Sequence, residues 1–526
     1  MNDDVVSSTD LTPTRRVIFS IASLWFFRNF APVIEELALR GHDVCLHLMR
    51  DDKEPSACRR LEALLARYPS ISVRYTPERE DFWAPLSQFT AKALDYMTFR
   101  EDRFNDKPVL RVRAEARTPV ALRFLFRALS SAPLRSTATR ILSSIEASIP
   151  ISVRTAKFFA GTEADLVVVS PLIDVGTRQY EHLRAAKAAG VPTLFAVHSW
   201  DNLSCKARVR HMPEAVAVWN EIQVAEAQHF HSIAPSRVRA VGAATYDQWF
   251  NPPPVDEGRT SFLEGLGLDA TKPTVLYLAS AIFGFREPPE PTFFRDWLVA
   301  LRTSDVPSLK EVNVIVRPHP RRGAEWAAEA PQLAALSPEH FAVFPEVSEN
   351  PADAFTASNY MKSLLYADAV VGINTSAMIE AALLGKPVLT ILDPRYRDSQ
   401  SGTFHFDYLT KRVTKNGIVR VSSGIQEHIA ALSRALSESS EERTSERAFA
   451  IEFVRPHEPD RPAASVFANY IEALCSTRPA PAHGNWHISP PILVPFAVVI
   501  NVADLIRRVA RWASTAKFSK LRRGLR

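Results

Sequence analysis

The stretch AVVGINTSAMIEAALLGKPVLTIL, residues 369–392, reads as strand, turn, helix and strand in one breath. Ala369 to Ile373 is too short for a helix, and its unbroken apolar character suits a strand buried on both faces. Asn374, Thr375 and Ser376 open a helix from Ala377 to Leu384, which Gly385-Lys386-Pro387 stops. A second apolar strand runs from Pro387 to Leu392. Strand, crossing helix and strand form a βαβ unit, the building block of a parallel sheet.

The same grammar extends in both directions. Before residue 250 it gives strands at Arg16–Ser20, Val44–Leu48, Asp165–Val169 and Pro192–Val197. Helices at Pro32–Arg40 and about Arg178–Ala189 end at Gly41 and Gly190. Asn251-Pro252-Pro253-Pro254 to about Thr271 is a Pro-punctuated break, and Pro273–Ala279 and Val312–Val316 start a second series. The expected fold is therefore α/β, with two doubly wound Rossmann-like domains facing a cleft. The first domain is expected over residues 1–255, with a helical insertion at about 80–160. The second is expected over 256–475, and 476–526 is a Pro-rich connector with a basic amphipathic tail.

Composition narrows the function. The 526 residues are 46% apolar and 23% charged, which fits ordinary globular domains and excludes wholesale disorder. Cys45, Cys58, Cys205 and Cys475 share no C-x-x-C spacing, so neither disulfides nor a zinc site is expected. The opening MNDDVVSSTD is acidic and polar, unlike a secretory leader, and a cytoplasmic location is expected.

The net charge is +5, but the last 22 residues hold eight basic residues and no acid. The rest is slightly acidic, so no nucleic-acid partner is expected. An anionic membrane surface suits a terminal cluster better, and the chain is expected to sit peripherally on the inner face of the plasma membrane. Ile492 to Ala503 is apolar ahead of Arg507, Arg508 and Arg511. As a twelve-residue helix it would reach about 18 Å, enough to lie in an interface and too short to cross one. The insertion carries ten basic and four acidic residues between Arg100 and Arg140.

Ligands of open parallel sheets bind beyond the carboxyl ends of the strands. Five such ends here carry unusual polar residues. His198, Trp200, Asp201 and Asn202 follow one strand, and Ser280 opens the Ser280–Gly284 segment after another. Arg317-Pro318-His319-Pro320 follows a third, Asn374-Thr375-Ser376 a fourth, and Thr403 and His405 lie beyond a fifth. Arg317 can grip a phosphate, and His319 can bond or protonate a leaving phosphate oxygen. Thr375 and Ser376 start a helix suited to a diphosphate, and Glu380 one turn in can reach a ribose hydroxyl. His198, oriented by Asp201, offers a general base. Trp200, Asn202, Asn220, Thr403 and His405 would line the acceptor side, with Asn374 and Ser280 near the donor. No Asp-x-Asp pair stands at a strand end, so neither a metal nor a resident cofactor is expected.

Ser199-Trp200-Asp201-Asn202-Leu203, Val218-Trp219-Asn220-Glu221-Ile222-Gln223, Arg317 to Pro320 and Phe453-Val454-Arg455-Pro456-His457 together resemble glycosyltransferases of the GT-B fold. The nearest resemblance is to relatives of CDP-glycerol glycerophosphotransferases and capsule polysaccharide transferases, over roughly residues 15 to 475. It implies a nucleotide-diphosphate or CMP-activated donor in the second domain, with His319 and Arg317 on its phosphates and Thr375 and Ser376 at the diphosphate. It implies His198 as base and a glycan or lipid-linked acceptor. The loop Ser20 to Trp25 lacks the glycines of many such relatives, and the basic tail lies outside the pattern. A CDP-alditol phosphotransferase, a UDP-sugar 2-epimerase and a non-catalytic membrane scaffold remain alternatives.

Overall fold

The computed structural model describes residues 13–523 apart from 50–53, 128, 130, 253–254, 256, 282–286, 349, 411–416, 439–443 and 478–488. Two sheets organise it. The first contains β1 (Arg16–Ile21), β2 (Asp43–Leu48), β3 (Ile71–Tyr75), β4 (Leu166–Ser170), β5 (Thr193–Ala196), β6 (Ala215–Val218) and β7 (Val238–Ala240). Their spatial order is β3-β2-β1-β4-β5-β6-β7. The second contains β8 (Thr274–Leu278), β9 (Asn313–Arg317), β10 (Phe341–Val343), β11 (Ala369–Gly372), β12 (Val388–Ile391) and β13 (Val419–Ser422), ordered β10-β9-β8-β11-β12-β13.

Every pairing is parallel. Every residue of β4, β8 and β9 is buried, as covering both faces with helices requires. Strand order reverses between β1 and β4 and again between β8 and β11, so each sheet has its own crevice. Two Rossmann-like halves with these crevices on one cleft make the GT-B arrangement. Gly372 lets β11 approach β8, since a Cβ there would lie 2.8 Å from the Leu278 carbonyl oxygen. Gly385 ends the helix Ala377–Leu383 at φ +71°, a conformation glycine adopts without a Cβ clash.

Between β3 and β4 the chain makes the helices Ala84–Thr98, Pro108–Arg117, Val120–Arg127, Ala132–Ser148 and Val153–Ala160. The first four share a small core that includes Leu94, Met97, Leu110, Leu122, Phe126 and Leu142.

The end of the expected 256–475 domain returns to the first half. Helix Ala463–Cys475 packs Phe467, Ala468 and Ile471 against Val33, Ile34 and Leu37 of helix Ala31–Leu39. Its apolar face matches that layer. The crossing is stitched by polar contacts: Asp247 accepts from the backbone N–H of Ala463 and Ala464 at 2.9 and 2.8 Å and pairs with Arg455 at 2.7 Å.

The tail differs from its sequence reading. Part of the Pro-rich connector, 478–488, lies outside the described residues. The helix itself begins at Pro490 and continues to Arg523, 34 residues in all. Pro490 and Pro491 read as a break in the sequence, yet proline is well accepted in a helix's first turn. The apolar stretch is thus 19 residues, Pro490–Arg508, about 28 Å long, and the expectation that it is too short to cross a membrane is corrected.

Candidate functional site

A cleft of about 510 Å³ lies between the halves, walled by loops from both switch points. The first half contributes the turn after β1, where the 3-10 helix Leu24–Asn29 brings Trp25, Phe26 and Arg28 to the wall. The loop after β4 adds Ile173 and Asp174, and the loop after β5 adds His198, Trp200 and Asp201. The second half contributes Ala281, His319, Arg321, Asn374, Thr375, Ser376, Glu380, Ser399 and His405. A larger cavity of about 730 Å³ sits beside helix Ala84–Thr98. Three of its arginines are tied into ion pairs, Arg79 with Glu181, Arg178 with Glu78 and Arg210 with Asp95, each at 2.9 Å.

His198 is held in one tautomer. The Asn202 amide nitrogen donates to the Ile173 carbonyl at 3.4 Å, which turns its oxygen toward His198. His198 Nδ1–H then donates to Asn202 Oδ1 at 3.0 Å, leaving the Nε2 lone pair available, with Ser199 Oγ 3.2 Å away. Phe26 meets the ring edge-on at 4.8 Å. Burial pushes the His198 pKa down to about 4, so the ring is neutral and able to accept a proton.

The expected orientation of His198 by Asp201 is corrected here. Asp201 pairs with Lys206 at 2.8 Å and accepts from Ser199 Oγ at 2.6 Å, and it acts on His198 through its charge, which works against burial. Burial alone would raise the Asp201 carboxyl, but Lys206 above all outweighs it and holds the group ionised.

His319 has the opposite polarity. The Arg321 backbone N–H donates to His319 Nδ1 at 3.2 Å, so the ring's proton sits on Nε2. Burial, then Arg321, Arg28 and Arg322, push its pKa down to about 4. His319 is therefore a neutral hydrogen-bond donor amid guanidinium groups. Arg321 also stacks on Trp25 of the other half at 4.5 Å, and Arg28 crosses to Asn350 Oδ1 at 2.7 Å.

Other expected residues divide into those on the cleft and those behind it. Thr375, Ser376 and Glu380 line it, and Ser376 makes no side-chain cap for the helix it precedes. Burial pushes Glu380 up to about 7, with the Tyr360 hydroxyl bonded to its carboxyl. His405 also lines it, ring edge against Trp200 at 4.6 Å, its Nδ1 toward Cys205 Sγ at 3.3 Å. Asn374 reaches the cleft, but its amide donates to the Ser399 carbonyl and faces His405 Nε2 at 3.4 Å.

Arg317 lies in a small recess of about 80 Å³ that shares His319, Thr375, Ser376 and Glu380 with the cleft, its guanidinium over Tyr360 at 4.4 Å. Ser280 is buried and accepts from the Asn374 backbone N–H at 3.1 Å. Residues Ile282 to Gly284 of that strand end lie outside the described residues. Asn202 is buried behind His198. Asn220 caps helix Glu221–His231 and donates to the Phe453 carbonyl at 2.8 Å, and Thr403 donates to the Gln400 carbonyl at 3.0 Å. These side chains hold the loops and do not line the cleft, because a strand end places a loop without fixing which way each side chain turns.

Sequence reasoning missed Trp25, Arg28, Arg321, Lys206 and the insertion residues Arg113 and Arg117, all on the cleft wall. For Arg321 the signal was present, since it directly follows Pro320. Among the described residues no group of three His, Cys, Asp or Glu side chains is placed to hold a metal.

No protein-family model and no curated protein matches this chain. Solved structures similar to it include Anabaena HepE in complex with UDP and glucose, 12% identical, covering 88% of this chain and 100% of that one at a TM-score of 0.46. A putative UDP-N-acetylglucosamine 2-epimerase from Listeria monocytogenes is 12% identical, with coverage of 90% and 100% and a TM-score of 0.49. WaaG, a glycosyltransferase involved in lipopolysaccharide biosynthesis, is 13% identical, with coverage of 88% and 99% and a TM-score of 0.41.

Proposed function

We propose that the protein is a GT-B glycosyltransferase. It moves a sugar from a nucleotide-activated donor to a cell-surface polysaccharide or glycolipid acceptor at the cytoplasmic face of a membrane, without a metal. The observation that carries this reading is the pair of neutral histidines of opposite polarity on one cleft, a lone pair on His198 Nε2 and an N–H on His319 Nε2.

In this reading the donor's diphosphate sits beside Thr375, Ser376, Arg28 and Arg321. The cations supply the charge stabilisation that a departing diphosphate needs. His198 Nε2 takes the acceptor hydroxyl's proton as the acceptor oxygen bonds to the sugar's anomeric carbon. The bond from that carbon to the diphosphate breaks, and His319 Nε2–H donates a hydrogen bond to the leaving oxygen. Being neutral, His319 bonds that oxygen and does not start as an acid. Glu380, with Arg317 and Tyr360 behind it, faces the nucleoside.

The test offers UDP-, GDP-, ADP- and CMP-activated sugars with a membrane lipid extract and follows released nucleotide and product mass. One donor should turn over only when acceptor is present, and His198→Ala should slow it by about two orders of magnitude or more. No turnover with any donor, or turnover unchanged in both His198→Ala and His319→Ala, overturns the reading. Transfer of an alditol phosphate from a CDP-alditol replaces it with phosphotransfer. Epimerised donor formed without acceptor replaces it with epimerisation.

A further inference from the structure

The C-terminal helix Pro490–Arg523 is inside out. A helix lying on a soluble body turns its apolar stripe inward and its charges outward. Here Asn501 faces the body, donating to the Phe82 carbonyl at 3.0 Å. Asp504 and Arg508, paired at 2.7 Å, line the cavity shared with Arg178 and Glu181. The docked apolar contact is small: Leu493 and Ala497, with Ile500, meet Leu86, Phe89, Ile145 and Ile149.

The opposite side is apolar throughout. Ile492, Val494, Phe496, Val498, Val499 and Ile506 are exposed there, Val499 by 66% and Ile506 by 63%, and the exposed Val502 and Leu505 run from them to the rim of that cavity. At 100° per residue, they cover an arc of about 200°, wider than the stripe one neighbouring helix covers. Beyond it the last 20 residues hold eight basic residues and no acid, a charge that complements anionic headgroups and repels a second copy of the same tail. Phe82, whose carbonyl meets Asn501, is itself exposed by 44% and adds an aromatic of the kind found at membrane interfaces.

We propose that this arc is buried in an anionic lipid bilayer while the helix stays docked, so that the helix lies flat in the interface. Docking decides flat against upright. The stretch Pro490–Arg508 is long enough to cross, but Leu493 to Asn501 run alongside the start of helix Ala84–Thr98. Standing upright would draw the neighbouring Arg79, Asp81 and Glu181 into hydrocarbon, where each charge loses its water. Membrane binding and packing on the body are therefore the two faces of one helix. The flat pose rests on the helix alone. Only its use, presenting a lipid-borne acceptor to the cleft, rests on the sugar-transfer reading.

The test is co-sedimentation of the full chain with phosphatidylcholine vesicles with and without phosphatidylglycerol. The wild type should pellet with the anionic vesicles, and the double variant Val499→Asp, Ile506→Asp should bind at least about tenfold more weakly. Both substitutions face outward, so melting without vesicles should match the wild type. Phe496→Glu, on the first turns of the same arc, should repeat the loss if the double variant melts early. Protease added outside the vesicles should still remove the C-terminus. Equal pelleting of wild type and both variants overturns the proposal, as does a C-terminus shielded inside the vesicles. A soluble dimer that Val499→Asp dissociates, with no vesicle binding, assigns the arc to a second copy instead. None of these outcomes depends on nucleotide binding or turnover.

Discussion

Asn202 Oδ1 accepts from His198 Nδ1 at 3.0 Å, and the Asn202 amide is itself oriented by the Ile173 carbonyl. A main-chain carbonyl beyond β4 therefore decides which nitrogen of a cleft histidine is free to act. In Asn202→Asp a carboxylate replaces the amide and stabilises the imidazolium, so the His198 pKa should rise from about 4 toward neutrality. In Asn202→Leu the ring loses its fixed tautomer. NMR titration of His198, assigned against His198→Gln, reads the first effect directly. An unchanged titration in Asn202→Asp would show that Asn202 does not face the ring.

Arg28 and Arg321 approach His319 from opposite halves, so donor phosphates should bridge the two halves. Arg28→Ala and Arg321→Ala should each weaken nucleoside diphosphate binding about tenfold or more, the usual loss of a charge-assisted hydrogen bond. Isothermal titration at low and high salt checks this, and the wild-type affinity should fall with salt more steeply than that of either variant.

The chain's return to the first half depends on Asp247, which serves Arg455 and the start of helix Ala463–Cys475 together. Arg455 is buried, so Asp247→Ala leaves a cation without its carboxylate and the helix without its cap. Denaturant unfolding should show a loss of about 3 kcal/mol or more.

Stability should peak near neutral pH, for two opposed reasons. Burial pushes His198, His319 and His405 to about 4, and His231 and His428 to about 3. The unfolded chain therefore binds more protons below pH about 6.5, and stability falls as pH drops from there toward 4. Burial also pushes Glu226 and Glu290 up to about 8. These carboxyls hold protons that the unfolded chain releases, so stability falls again as pH rises from about 5 to about 8. The numerous histidines dominate the acid side and the carboxyls the alkaline side. Glu226→Gln should flatten the alkaline limb in denaturation curves collected from acid to alkaline pH.

Much of this architecture was legible in the chain itself. The short apolar runs before Asn374, His198 and Arg317 are strands within one or two residues of where they were expected, because a strand buried on both faces has little else it can be. The edge strands β3, β7, β10 and β13 did not register, because an arginine interrupts β3, β7 and β13 and β10 has only three residues. The site was legible by loop and less so by side chain. His198, His319, Thr375 and Ser376 face the cleft, while Asn220 and Ser280 brace the backbone behind it. Arg113 and Arg117 were hidden for a different reason: periodicity reveals a helix, and only tertiary packing tells which end of it meets the site.

In the proposed reaction the cleft takes a nucleoside diphosphate between Arg28, Arg321 and His319. Thermal unfolding with CMP, CDP, UDP, GDP and ADP, on wild type and on the Arg28→Ala, Arg321→Ala double variant, tests it most directly. One nucleotide at a hundred times its dissociation constant should stabilise the wild type by about 2.7 kcal/mol and leave the variant nearly unmoved. No stabilisation by any of the five, or an equal shift in both proteins, would contradict the claim.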